Sequence, residues 1–247
     1  MLTKSKIKLI RSLEMKKYRR ECGLFVAEGP KVVDDLMRIY EPVELFATRD
    51  WMISRAGTED LADAAVTEVS EGVLERLSFL QHPQGVLALF RIPAAAPLRE
   101  PDGLTLMLDG IQDPGNLGTI IRTADWFGVE RVICSRDSAD VYNPKVVQAT
   151  MGSIASVEVV YTDLEEYLSE TSYEVCGTFL DGESIYDANL ARNVIIVLGN
   201  EGKGVSEAVA QRVTKRLTIP RRGTSLTAES LNVAVAAAIV CSEYGKK

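Results

Sequence analysis

Asn116, Gly118 and Arg122 lie in the stretch LMLDGIQDPGNLGTIIRTADWFGV (residues 106–129), which passes from an apolar strand through a polar turn into a helix. Gly118 and Arg122 are four residues apart and share one helical face, so the glycine leaves space beside the guanidinium for a ligand or a backbone. Asn116 falls in the first helical turn, where unpaired N–H groups favour an anion. Leu117, Ile120, Ile121, Ala124 and Phe127 recur at helical spacing and would bury the opposite side. Taken alone, the segment reads better as an ordinary surface helix with an Arg122–Asp125 pair.

Two later segments have the same form. In VIIVLGNEGKGVS (194–206) a continuous apolar strand, read as central, ends in Gly199, Asn200, Glu201, Gly202, Lys203 and Gly204. A phosphate loop counted from Gly199 would need a lysine where Val205 stands, so that pattern fails. Glycines alone would suit a strand-to-helix turn, but Glu201 among them has no turn-forming reason. In LTIPRRGTSLTAESLNVAVAAAIVCSEY (217–244), Ser230 reads as a helix N-cap and Asn232 as a first-turn residue. The residues from Val233 to Val240 are apolar on every side, and their small size permits close approach of another helix, in the same chain or a second subunit.

A strand running into a polar turn is where ligands bind in open parallel sheets, at the carboxyl ends of the strands. The surrounding pattern supplies such a sheet. Strands are expected at 104–108, 131–135, 157–161, 174–179, 194–198 and 216–219, with helices from about 116, from 144, over 164–170 and over 230–244. Before them lies a separate alternation: a basic helix over 3–20, strands at 24–27, 43–48, 66–69 and 85–92, and helices at 30–40 and 73–80. The expected architecture is α/β throughout, a three-layer N-terminal domain (1–96) and a parallel-sheet domain (97–247), joined at Pro93-Ala94-Ala95-Ala96-Pro97.

Composition narrows the function classes. With 46% hydrophobic and 26% charged residues in 247, the chain reads as a soluble protein with a sizeable core. No apolar run is long enough to span a bilayer and no signal peptide is legible, so a cytoplasmic protein without a membrane partner is expected. Four scattered cysteines without a CxxC pair, and a single histidine, His82, give no metal-site spacing and make a histidine-based triad improbable. The net charge of −7 hides an asymmetry, because Lys4, Lys6, Lys8, Arg11, Lys16, Lys17, Arg19 and Arg20 face only Glu14 and Glu21 in the first 22 residues. That arm, with Lys16, Lys17, Arg19 and Arg20, is either a phosphate-contacting segment or a solvated helix face. A dinucleotide fold survives as a rival, since Gly115 and Gly118 match half of its fingerprint and Asp137 follows the second strand, but Asp113 replaces the first glycine.

The three segments, in this order, resemble the SpoU (TrmH-type) branch of the SPOUT RNA methyltransferases. The resemblance rests on Asn116, Gly118 and Arg122; on Leu198 through Gly204; and on Ile219, Pro220, Gly223, Ser230, Leu231, Asn232 and Val233. Asn143-Pro144-Lys145 and Met151-Gly152-Ser153 also match, and KKYRRECGLFVAEGP and HPQGVLALF resemble the family's substrate-binding domain, itself similar to ribosomal and kink-turn RNA-binding proteins. Arg221 and Arg222, where the family often has apolar residues, and a long loop to Ser230 depart from the pattern.

The resemblance implies a deep trefoil knot, a homodimer, S-adenosylmethionine as methyl donor with no metal, and methylation of a ribose 2′-hydroxyl, of ribosomal RNA before transfer RNA. It implies cofactor contacts from Thr178, Phe179, Leu180, Leu198, Gly199, Asn200, Gly202, Ile219 and Leu231. Arg122 is the expected catalytic residue, with Asn116, Glu201, Ser230 and Asn232 completing the pocket, and Lys145 joins the RNA contacts. A guanidinium stays protonated near neutral pH, so Arg122 is expected to clamp a phosphate and favour the alkoxide rather than act as a base. A noncatalytic RNA-binding protein and a nucleotide-binding α/β enzyme are the other classes, and self-protection against a ribosome-directed antibiotic is one biological setting the residues leave open.

Overall fold

The computed structural model describes residues 2–55, 65–94, 102–223 and 229–246. In chain order the elements are α1 (Lys4–Ser12), α2 (Lys16–Cys22), β1 (Leu24–Glu28), α3 (Pro30–Met37), β2 (Pro42–Ala47), α4 (Arg49–Ser54), β3 (Val66–Glu68), α5 (Glu71–Leu77), β4 (Val86–Arg91), β5 (Leu104–Asp109), α6 (Pro114–Trp126), β6 (Arg131–Ser135), α7 (Pro144–Thr150), β7 (Glu158–Thr162), α8 (Leu164–Glu170), β8 (Glu174–Ser184), β9 (Val194–Gly199), α9 (Glu207–Ala210), β10 (Lys215–Thr218) and α10 (Val233–Tyr244). They form two compact units, Met1–Ala94 with Asp140–Ala155, and Ala95–Ala139 with Ser156–Lys247. The expected boundary after residue 96 lies outside the described residues. Asp140–Ala155, expected with the second half, clusters instead with the first unit.

The first unit is built on a mixed sheet of order β1-β4-β2-β3, with β4 antiparallel to β1 and β2, and β3 parallel to β2. Alternation divides the strands between two faces. Val26, Phe46, Leu87 and Leu89 pack with Ile10 and Leu13, and with Leu74 and Leu77 of α5. On the other face α3 packs on β1 and β4, α7 packs on β1, and the Phe25 ring lies 5.6 Å from Phe90 and 5.0 Å from Tyr142. Helices on both faces give the three layers that the alternation predicts.

The basic helix expected over 3–20 is broken in two. Thr3 caps α1, Met15 is extended, and α2 starts at Lys16. Arg19 explains the break, because its Nη1 donates to the carbonyls of Leu13 and Glu14, both at 2.7 Å, supplying partners that a continuous helix would have provided. Its Nε donates to Asp140 at 3.1 Å, and the residue is 1% exposed. Another buried charge, Glu28, accepts from the Ser78 hydroxyl and from the Phe79 N–H at 2.9 Å. Burial pushes its carboxyl above the usual range, against the lowering effects of these bonds and of Arg11.

The second unit is a wholly parallel sheet of order β10-β8-β9-β5-β6-β7. Burial on both faces is why β5, β6 and β9 carry unbroken apolar runs at 106–108, 132–134 and 194–198. Met107, Ile133, Val175, Ile195 and Val197 pack against Leu164 and Leu168 of α8 and Val209 of α9. α10 packs on α6, β5 and β9. α10 begins at Val233, with Asn232 as its N-cap, so Ser230 is not the cap expected of it. Asn232 prevails because its side-chain oxygen reaches two free N–H groups, those of Ala234 and Val235. Among the described residues no helix is long and apolar enough to cross a membrane.

Candidate functional site

The strand ends of the second unit are tied together before any site residue is placed. Asp109, buried at the end of β5, accepts from the Ser206 N–H at 2.7 Å. The next residue, Gly110, donates its N–H to Ser135 Oγ and accepts from Asn200 Nδ2, each at 2.8 Å. These bonds link the turns after β5, β6 and β9.

α6 then starts with Asp113 as its cap, accepting from the Asn116 N–H at 2.8 Å, and with Pro114 in its first turn. This gives Asp113 a capping duty and removes the rival reading of the segment as a dinucleotide fingerprint. The cap holds Asn116 so that its Nδ2 donates to the Glu201 carboxylate, while its Oδ1 accepts from Asn232 Nδ2 at 2.9 Å. Three segments that are distant in sequence thereby meet through side chains at one place. Asn232 does this while its own oxygen caps α10.

Glu201 is presented by a tightly closed turn. Asn200 and Gly204 exchange backbone bonds of 3.0 and 2.8 Å, and Asn200 Oδ1 accepts from the N–H groups of Gly202 and Lys203 at 2.9 and 3.0 Å. A Cβ on Gly199 would lie 2.3 Å from Gly204 C and Val205 N, so only glycine permits this closure. Asn200, expected among the cofactor contacts, has its side-chain amide and its backbone N–H and C=O engaged within this framework. It shapes the loop.

The other cofactor candidates gather at neighbouring strand ends. β10 pairs Arg216 with Gly177 and then Leu217 with Glu183, so Thr178–Gly182 stands out of that ladder. On the opposite side β8 pairs with β9 only as far as Gly177. The segment is held instead by side chains: Thr178 Oγ1 donates to the Val197 carbonyl at 3.1 Å and Thr218 Oγ1 to the Leu180 carbonyl at 3.2 Å. A Cβ on Gly182 would meet the Arg216 carbonyl oxygen at 2.5 Å. Leu180 and Leu231 are exposed large apolar residues, Leu198 is buried and Ile219 is half-buried just beyond β10. Main chain of a segment outside the register of both neighbouring strands, beside apolar side chains, fits the adenosine part of S-adenosylmethionine.

Arg122 lies exposed on α6, and among the described residues no hydrogen bond or ion pair ties it to the Asn116–Glu201–Asn232 trio or to Asp125. Ser230 is also exposed, two residues before the cap. Residues 224–228, part of the departing loop, lie outside the described residues. Cys176, at the start of β8, is no nucleophile: burial first, then Glu174, pushes its thiol to about 12. Among the described residues no group of three His, Cys, Asp or Glu side chains is placed to hold a metal ion.

In the first unit, Lys17, Arg20 and Lys145 are exposed. Arg19 is not: its bonds to Asp140 and to two carbonyls remove it from the surface proposed to meet RNA. What the sequence reading missed is Asp109, Arg216 and the partnership of Arg216 with Phe179. Asp109 carried a signal, an acidic residue ending a buried strand. Arg216 carried none.

A model of the SpoU rRNA methylase family matches residues 103–242, and one of the MRM3-like substrate binding domain matches residues 4–88. The chain belongs to the SpoU methylase family. It is 32% identical to the 23S rRNA (guanosine(2553)-2′-O)-methyltransferase RlmP of Bacillus subtilis, over 95% of this chain and 94% of that protein. Among solved structures, a TrmH-family protein from Porphyromonas gingivalis aligns with a TM-score of 0.88 at 44% identity, over 99% of this chain and 98% of that one. An AdoMet-bound rRNA methyltransferase from Sinorhizobium meliloti aligns with a TM-score of 0.86 at 30% identity, over 100% of this chain and 96% of that one.

Proposed function

We propose that this protein transfers a methyl group from S-adenosylmethionine to a ribose 2′-hydroxyl of ribosomal RNA. The observation that carries the reading is the convergence of Asn116, Glu201 and Asn232 at the strand ends, with Thr178–Gly182 out of register on β8, the strand beside β9. When bound, the cofactor supplies a sulfonium methyl whose carbon–sulfur bond breaks as the oxygen–carbon bond forms, leaving a neutral thioether. The chain's own residues hold and orient the partners. The backbone of Thr178, Phe179 and Leu180, with Leu198, Gly199, Gly202, Ile219 and Leu231, lines the cofactor position, and Asn200 keeps the turn closed. The Asn116–Glu201–Asn232 network, with Ser230, positions the nucleotide. Arg122 clamps the adjacent phosphate and favours the developing alkoxide, while the hydroxyl proton leaves to solvent.

The first unit is the RNA substrate-binding domain in this reading, and the second unit the SPOUT catalytic domain. Lys16, Lys17 and Arg20 on α2 and Lys145 on α7 meet the phosphates, both helices packing on β1. Ribosomal rather than transfer RNA is favoured by the full-length match to RlmP. The family's trefoil knot, a cytoplasmic location and a homodimer complete the reading. The dimer is supported by Trp126, 85% exposed, and Val235, exposed on the helix that packs against α6.

The test is a labelled methyl-transfer assay on ribosomal RNA, with 2′-O-methyl mapping in cells with and without the protein and calorimetry with S-adenosylhomocysteine. Arg122→Ala is expected to keep cofactor binding while transfer collapses. RNA binding without any methylated ribose would leave a noncatalytic RNA-binding protein.

A further inference from the structure

We propose that Arg216 is the positioning residue of the cofactor loop: by clamping Phe179 and Asp181 it holds Thr178–Gly182 in the conformation that receives S-adenosylmethionine. The inference rests on the assignment of that segment to the cofactor.

Arg216 stands where the β8–β10 ladder breaks. Its backbone pairs with Gly177 and its neighbour Leu217 with Glu183, so the looped segment leaves and rejoins the sheet on either side of it. Its side chain reaches back over the segment it borders. The guanidinium carbon lies 3.5 Å from the centroid of the Phe179 ring, and Nη2 donates to Asp181 Oδ1 at 2.7 Å. The ring also lies close to Gly177, where a Cβ would come 2.7 Å from its Cε2. Phe179 is therefore in close contact with both the Arg216 cation and the bare Cα of Gly177. The Asp181 carboxyl is held below the usual range chiefly by its bond to Arg216.

A segment outside the sheet register depends on side chains for much of its order, or it samples many conformations. Each of these two interactions is weak at an exposed site. Sharing one guanidinium, which lies over the ring while its Nη2 donates to the carboxylate, they restrain two residues of the loop together. Affinity for a ligand falls with the fraction of protein in the receiving conformation, so loosening the clamp weakens cofactor binding without touching the reacting atoms.

The experiment compares Arg216→Gln, Arg216→Lys, Phe179→Leu and the Gln–Leu double variant in the full chain. It reads S-adenosylhomocysteine affinity by calorimetry, amide exchange across 178–182, the unfolding midpoint, and KM against kcat. Arg216→Gln is expected to raise Kd about tenfold, because it removes the stacking and the ion pair at once. Exchange should quicken in 178–182 with the midpoint unchanged, KM for the cofactor should rise with kcat retained, and Arg216→Lys should recover part of the loss. The double variant should be no worse than the poorer single one. Unchanged affinity, or a lowered midpoint without loop-specific exchange, overturns the clamp. Leu180→Asp separates the two levels. If it abolishes binding while Arg216→Gln does not, the clamp alone is wrong; if neither changes binding, the loop assignment falls and the clamp with it.

Discussion

Asn232 donates through Nδ2 to Asn116 Oδ1 at 2.9 Å, across 116 positions of sequence. Each residue has a second duty at a helix start. Asn232 caps α10 through its oxygen, and Asn116 offers its N–H to the Asp113 cap of α6. A side-chain amide, with a donor on one side and an acceptor on the other, is the group that can do this.

That arrangement makes the amide of Asn116 testable in isolation. Asn116→Asp keeps the shape and the acceptor toward Asn232, but sets a carboxylate against Glu201. Methyl transfer is expected to fall about tenfold or more, the scale of losing a hydrogen bond to a charged group. Calorimetry and a transfer assay check it, and full activity would show that the contact is dispensable.

Glycines in the 199–204 turn should not be equivalent. Gly199→Ala drives a Cβ into main-chain atoms 2.3 Å away and is expected to destabilise the second unit by about 1–3 kcal/mol. Gly202→Ala meets nothing nearer than Asn200 Oδ1 at 3.5 Å and should leave the denaturation midpoint close to the parent value.

Neighbouring arginines on α2 should separate stability from RNA binding. Arg19→Met strands the Asp140 carboxylate and two carbonyls and should lower stability by about 3 kcal/mol, seen as a shifted denaturant midpoint. Arg20→Ala should leave the midpoint alone, weaken RNA binding and reduce the magnitude of the salt slope by about one.

Glu28 gives the first unit a pH signature. Its folded carboxyl is raised above the ordinary value of 4.5 by burial, so the native state holds its proton more firmly than the unfolded chain does. Its stabilising share is complete below pH 4.5 and is lost as pH rises through the folded value. Thermal melts of parent and Glu28→Gln should therefore diverge in favour of the variant as pH climbs from acid to neutral. A gap that stays constant over that range would contradict a raised carboxyl.

Much of the site was legible because its residues sit where apolar strands end. Asn116, Glu201 and Asn232 each follow a strand or open a helix, the first two at glycine-bearing turns, and a parallel sheet brings such turns to one edge. Less was legible where a side chain chooses among distant partners. Arg19 read as one more basic residue until Asp140 and two carbonyls claimed it, and Ser230 read as the cap until Asn232 reached the free N–H groups first. Phe179 and Arg216 gave no hint of each other, because a ladder that skips from Gly177 to Glu183 leaves no periodic trace.

Local patterning thus determined the α/β class, nearly every strand, and which turns could carry chemistry, since apolar spacing and glycine placement act within a few residues of themselves. Tertiary structure alone decided that Asp140–Ala155 joins the first unit, which arginines are buried, and how Thr178–Gly182 is held. Those outcomes depend on pairings between segments far apart in sequence, and the free energy of such pairings exists only once the intervening chain has folded.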